Sequence, residues 1–278
     1  MCHHVYAFTG FSSHISLVFV RFRIKLTDRI AMIANAETAD VARAYYTQSE
    51  GGISLQSLST RIEWEDISKT NPLYVLYMYG FWNSGSGDSD GDGYSNKVFD
   101  DKPLLPFGDT IVTDELEKQS GFDAKLTAET ISLVNIWMAV TSELYQAVTF
   151  CHDGTTNSDR SNPVDNAAAL WFGSQTDPNV TTGSSLSAWA SRAQSEFTGF
   201  AKGVNDEMIR MLSSLQNSYA ICKTATSLDQ RKDRALLMKT DVDYATQIMT
   251  VPLVQNFIRS LVSFVMYFTF YCSSRQLT

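Results

Sequence analysis

Apolar residues recur with helical spacing along most of the chain. Over residues 125–150, Leu126, Leu133, Trp137, Val140, Leu144 and Val148 follow one another at steps of three, four and seven. That stripe predicts a single amphipathic helix of about 26 residues, close to 39 Å at about 1.5 Å per residue. Residues 162–173 carry the clearest boundary signals. Asn162 stands at the N-cap, Pro163 at the first helical position, Asp165 at the third, and Gly173 at the stop. Between them, Ala167, Ala168 and Ala169 would let a neighbouring helix approach closely.

Further helices are predicted over 37–49, 53–69, 185–198 and 203–222, the last two with Leu186, Trp189, Phe197, Met208, Leu212 and Leu215 facing inward. The final segment, 228–272, is predicted to be helical with a kink at Pro252, which has no N–H for the ladder. Residues Leu73–Tyr79 follow Pro72 and are dense in aromatics. Their composition suits a strand, but Leu73, Leu76 and Tyr77 also fit a helical stripe, and helix is the reading adopted. Residues 83–123 lack periodicity and are rich in Gly, Ser and Asp, with Pro103 and Pro106 as turn markers. They read as a long surface excursion. No alternation of strands with helices is present. The expected fold is therefore all-α, an antiparallel helical bundle with a long irregular acidic insertion. The expected organisation is a poorly defined segment 1–36, a helical domain 37–225 that contains the insertion, and a tail 226–278 forming one helix or a truncated second repeat.

Composition narrows the function classes. The chain has 278 residues, 44% of them hydrophobic, enough for a sizeable core. A net charge of −8 argues against a nucleic-acid partner, which requires a basic face. Of the cysteines Cys2, Cys151, Cys222 and Cys272, none forms a Cys-x-x-Cys pair, so zinc-ribbon and thioredoxin chemistry are not indicated. Cys151 and Cys222 each end a predicted helix and are either bridged or two buried thiols. The bridge would imply an oxidising compartment. One glycosylation triplet, Asn179-Val180-Thr181, points the same way. An extracellular or cell-surface location is expected, although no clear signal peptide is seen: the apolar run Ile15–Val20 precedes Arg21, Arg23 and Lys25, the reverse of a secretory leader. Ser260–Cys272 is strongly apolar for 13 residues, short of the roughly 20 needed to span a bilayer. It reads as a buried helix or as a contact for a membrane surface or protein partner.

Two constellations suggest metal chemistry. Asp88, Asp90 and Asp92, with Gly93, Tyr94 and Asn96, match the opening of a calcium loop. The twelfth position, where a bidentate Glu belongs, is Phe99. The expectation is a solvated acidic loop or a single weak calcium site, not a paired hand. Tyr77, in the cluster with Tyr74 and Tyr79, could hold ferric iron as a phenolate, with Asp165 and His152 as partners. The alternative is aromatic core packing. Catalytic motifs are missing: there is no His-Glu-x-x-His, Gly-x-Ser-x-Gly or Walker loop. Glu129 and Glu143 on the long helix would lie about 21 Å apart, too far for paired acid–base work.

Several segments resemble a known group. Asn135-Ile136-Trp137 leading to Glu143-Leu144, Ala147 and Cys151, the run Asp165–Ser174, Val204-Asn205, and Met249–Gln255 resemble algal helical repeat proteins of unknown function related to phytotransferrin-type iron-assimilation proteins. The resemblance is scattered over about residues 70–260 and rests on helix and core positions. It implies cation or iron handling at a cell surface. The expected function is thus a non-enzymatic helical binding module with calcium or iron as cofactor. An enzyme with a site between helices and a structural or membrane-associated interaction protein are the alternatives.

Overall fold

A computed structural model of the chain describes residues 17–49, 52–60, 107–118, 120–154, 162–175, 177–197 and 203–275; side chains at 17–23, 59–60, 107, 260–261 and 263–275 are left aside. The described residues form nine helices and no strand, so the protein is all-α. They are α1 (Leu17–Ala34), α2 (Ala39–Thr47), α3 (Leu55–Thr60), α4 (Phe107–Leu116), α5, α6 (Pro163–Phe172), α7 (Leu186–Glu196), α8 (Val204–Thr224) and α9 (Leu228–Arg275). Helix α5 joins three consecutive segments, Ala124–Thr130, a π-helical Ile131–Ile136, and Trp137–Asp153.

Helix boundaries follow local chemistry. Asp123 caps α5 by accepting from the Lys125 and Leu126 amides, both at 3.0 Å. Gly154 ends it in the left-handed region at φ 68°. Asn162 Oδ1 accepts from the Val164 amide at 3.0 Å to start α6, and Pro163 follows at the first helical position. Ser185 and Thr38 cap α7 and α2 through their hydroxyls.

Helix α6 is the hub. All ten of its residues are buried, and it packs on α1, α5, α7 and α8. Its alanine run leaves room for those four neighbours. Helix α9 lies antiparallel to the last segment of α5: Tyr145 bonds to Asp243, and Cys151 meets the Arg231 carbonyl. It also forms an antiparallel hairpin with α8, in which Ser214 Oγ donates to Asp241 Oδ2 at 3.1 Å. At about 1.5 Å per residue, its 48 residues extend about 72 Å. The helix is continuous through Pro252, which is buried, and the Asn256 side chain donates to the Pro252 carbonyl at 2.9 Å.

Three expectations need amending. Within the segment expected to be poorly defined, the described part forms α1, whose Leu26, Ile30 and Ile33 belong to the same buried cluster that ends at Met249 in α9. Packing therefore runs across the boundaries expected at 36 and 226. The excursion 83–123 is not wholly irregular. Helix α4 lies inside it and buries Val112 and Leu116. Its apolar positions are too few for periodicity to stand out, and Pro103 and Pro106 before it in sequence read as turn markers.

The third concerns the stripe on α5. Val140, Leu144 and Val148 are buried as expected, but Leu126 is 51% exposed. The buried positions upstream form two adjacent rows, Ile136, Ser132 and Ala128 beside Asn135, Ile131 and Thr127, each at steps of four. A step of four overshoots a 3.6-residue turn by about 40° each time. The wider π turn absorbs that overshoot and keeps these positions on the core side. The remaining site expectations on Tyr77 and Asp88–Asn96, with the predicted helix 73–79, lie outside the described residues.

Candidate functional site

Of the expected metal ligands among the described residues, Asp165 occupies the interior, whereas His152 is half-buried. As third residue of α6 it faces α8, where Gln216 Nε2 donates to its Oδ1 at 3.0 Å. Oδ2 is buried without a hydrogen-bond partner of full geometry. Burial raises the carboxyl pKa from 3.8 to about 7, against the opposing pull of Lys223, Gln216 and Asn162. Burial also pushes the Tyr219 hydroxyl up, and the Asp165 charge adds to that. The next residue, Asn166, donates to Glu143 Oε2 of α5 at 3.0 Å, while its own Oδ1 has no partner. The result is a seam of amides and carboxyls between α5, α6 and α8. Chemically it can hold or release a proton near neutral pH.

The disulfide closes one end of this seam. Cys151 on α5 and Cys222 on α8 are bridged, with Cα atoms 5.4 Å apart, a normal spacing. Both are buried, and Cys222 Sγ lies 3.7 Å from Met238 Sδ of α9. His152 stands beside Cys151 at the end of α5, where its Nδ1 meets Asp153 Oδ1 at 2.7 Å. No group of three or more His, Cys, Asp or Glu among the described residues is placed to hold a metal. Asp165 and His152 therefore do not join in such a group there.

Two polar networks were not foreseen. Asn205, the second residue of α8, is almost fully buried. Its Oδ1 accepts from Trp171 Nε1 at 3.1 Å, and its Nδ2 meets the Pro178 carbonyl at 2.6 Å, the Ser187 carbonyl at 2.9 Å and Ser191 Oγ at 2.9 Å. One amide thus ties α6, α7, α8 and the loop before α7 together. The second lies on the π segment. Asn135 Nδ2 donates to the Tyr46 hydroxyl at 3.2 Å, which in turn donates to Asp109 Oδ1 at 2.8 Å. Gly108 permits this approach of α4, since a Cβ there would fall 2.7 Å from Asn135 Oδ1. A sequence signal was present for Asn135, an Asn set in the apolar run Leu133–Val140, but not for Asn205, which Asp206 and Glu207 follow.

The exposed feature is on α9. Val254, Phe257, Ile258 and Val262 are 50%, 65%, 42% and 56% exposed. Steps of three and four put them on one face of the helix. Arg259 reaches the other way, to Glu196 Oε1 at 3.3 Å and over the Trp189 ring at 5.8 Å. Those contacts hold this part of α9 against α7. No helix among the described residues is long and apolar enough to cross a membrane.

No protein-family model matches the chain, and it finds no match among curated proteins or solved structures.

Proposed function

We propose that the protein is a non-enzymatic helical interaction module, at the cell surface or elsewhere outside the cytoplasm, that docks on a lipid interface through the C-terminal half of α9. The exposed apolar face at Val254, Phe257, Ile258 and Val262 carries this reading. The sequence continues it. From Tyr244 to Thr278 there is no Asp or Glu, and only Arg259 and Arg275 are charged. Between those arginines lie Phe264, Tyr267, Phe268, Phe270 and Tyr271. Aromatic residues bracketed by arginines suit a helix lying at the membrane–water boundary.

Magnitudes decide how much chain is needed. Four half-exposed side chains would gain together on the order of 4 kcal/mol on full burial. That corresponds to about millimolar binding, too weak alone. The apolar residues 261–272 must contribute for docking to hold. The bridged Cys151–Cys222 pair supports an oxidising location, where such a surface is the outer or lumenal leaflet.

Flotation of the full chain with zwitterionic phosphatidylcholine vesicles tests this. The protein should rise with the vesicles, and Phe257→Asp combined with Ile258→Asp should leave it at the bottom with an unchanged far-ultraviolet spectrum. Failure of the unaltered chain to float, or flotation of the double variant, rejects the reading. Concentration-dependent self-association without flotation would assign the same face to a second copy and also reject lipid docking.

A further inference from the structure

The loop between α6 and α7 carries the only Asn-x-Ser/Thr triplet in the sequence, Asn179-Val180-Thr181. Its backbone is fastened at nearly every step. Asp177 Oδ1 accepts from the Asn179 amide N–H at 2.9 Å. The Pro178 carbonyl accepts from Asn205 at 2.6 Å and from Ser191 at 2.7 Å. Arg192 Nη1 donates to the Thr181 and Gly183 carbonyls at 2.8 and 2.9 Å, and Gln175 Nε2 reaches the Thr182 carbonyl at 3.1 Å. Through all of this the side chain of Asn179 stays exposed, and so does Thr181. The polar anchoring goes through the carbonyls and through Asp177, not through the Asn179 amide group.

We propose that Asn179 is the attachment site of an N-linked oligosaccharide. Three observations meet here. The triplet has the required residue types, with Val180 and not Pro in the middle. The acceptor stands exposed on a turn, so a bulky glycan displaces no packed side chain. The bridge between Cys151 and Cys222 independently points to the oxidising lumen in which such transfer occurs. The donor is a lipid-linked oligosaccharide pyrophosphate. The Asn179 amide nitrogen forms a bond to the anomeric carbon of the first sugar and gives up one proton to solvent. The bond from that carbon to the pyrophosphate oxygen breaks, and the lipid pyrophosphate leaves with the electron pair. No net oxidation or reduction takes place. The site is independent of docking by α9.

Mass spectrometry of the full chain from its native cells tests the site. Trypsin cleaves after Arg160 and Arg192, so one peptide holds Asn179 together with Asn162 and Asn166. That peptide is expected to carry a hexose and N-acetylhexosamine mass, and peptide-N-glycosidase should leave aspartate at position 179 alone. Asn179→Gln and Thr181→Ala, expressed in the same cells, should migrate like the enzyme-treated protein, whereas Thr181→Ser should keep the glycan. An unmodified peptide in protein whose Cys151–Cys222 bridge is intact overturns the proposal. So does recovery of both cysteines as free thiols with no glycan.

Discussion

Gln216 donates its side-chain amide to Asp165 Oδ1 at 3.0 Å across the α6–α8 contact, and this bond is too little to keep the carboxyl strongly acidic. Desolvation outweighs it and holds the pKa at about 7. The folded state thus binds this proton more tightly than the unfolded chain does. The associated stability is fully present below about pH 4 and is lost as pH rises through about 7. The gap between 3.8 and about 7 sets an upper bound of about 4 kcal/mol. Urea unfolding of Asp165→Asn should accordingly match the parent near pH 4 and exceed it near pH 8. A variant less stable than the parent at pH 8 would show that the ionised carboxylate is favoured by its surroundings.

Asn205 ends several bonds at one buried amide, so its loss should be expensive. Asn205→Ala strands Trp171 Nε1 and leaves the Pro178 and Ser187 carbonyls without that donor. Buried polar groups without partners cost about 1–3 kcal/mol each, discounted where water enters. A loss of about 2–4 kcal/mol is expected from chemical denaturation. Proteolysis should also shift to the loop around Asn179, which Asn205 pins. A loss well under 1 kcal/mol would mean that the network is dispensable.

Removal of the disulfide tests a different contribution. The bridge spans a sequence separation of 71 residues. A loop of that size constrains the unfolded chain by about 4 kcal/mol on the chain-entropy model. Cys151→Ala with Cys222→Ala should lower stability by up to that amount while keeping helix content, because both residues already sit in the packed cluster. Peptide mapping without reductant should recover the 151–222 pair. Equal denaturation midpoints with and without the bridge would mean that the closed loop does not set the stability.

What could be read from sequence depended on whether a local rule governed the residue. Asn162, Pro163 and Gly173 mark the ends of α6 because capping is decided within a few residues. Ser185 does the same for α7. The burial of Leu26 and Ile30 could not be read that way, since α1 packs not only on its neighbour α2 but also on α5 and α6, distant in sequence. Asp165 was singled out as an iron ligand, and its burial was not foreseen. Of the residues on which an algal resemblance was expected to rest, Asn135, Trp171 and Asn205 are packing and network positions. A likeness resting on them bears on scaffold before chemistry.

Leu126 and Leu144 separate an ideal α-helix from one with a π turn. Regular 3.6-residue spacing puts both on the core stripe of α5. The π segment between them rotates the upstream face, so Leu126 is half exposed and Leu144 fully buried. Leu144→Ala should cost about 2–5 kcal/mol through lost burial and the cavity left behind. Leu126→Ala should change stability by less than about 0.5 kcal/mol, the usual range for surface positions. Ala128, not Leu126, is then the position intolerant of bulk: Ala128→Leu should destabilise by about 1–3 kcal/mol through overpacking. Denaturation midpoints of the three variants under one set of conditions give the comparison. If Leu126→Ala costs as much as Leu144→Ala, the upstream half of α5 keeps α-helical phase and the wide turn is absent.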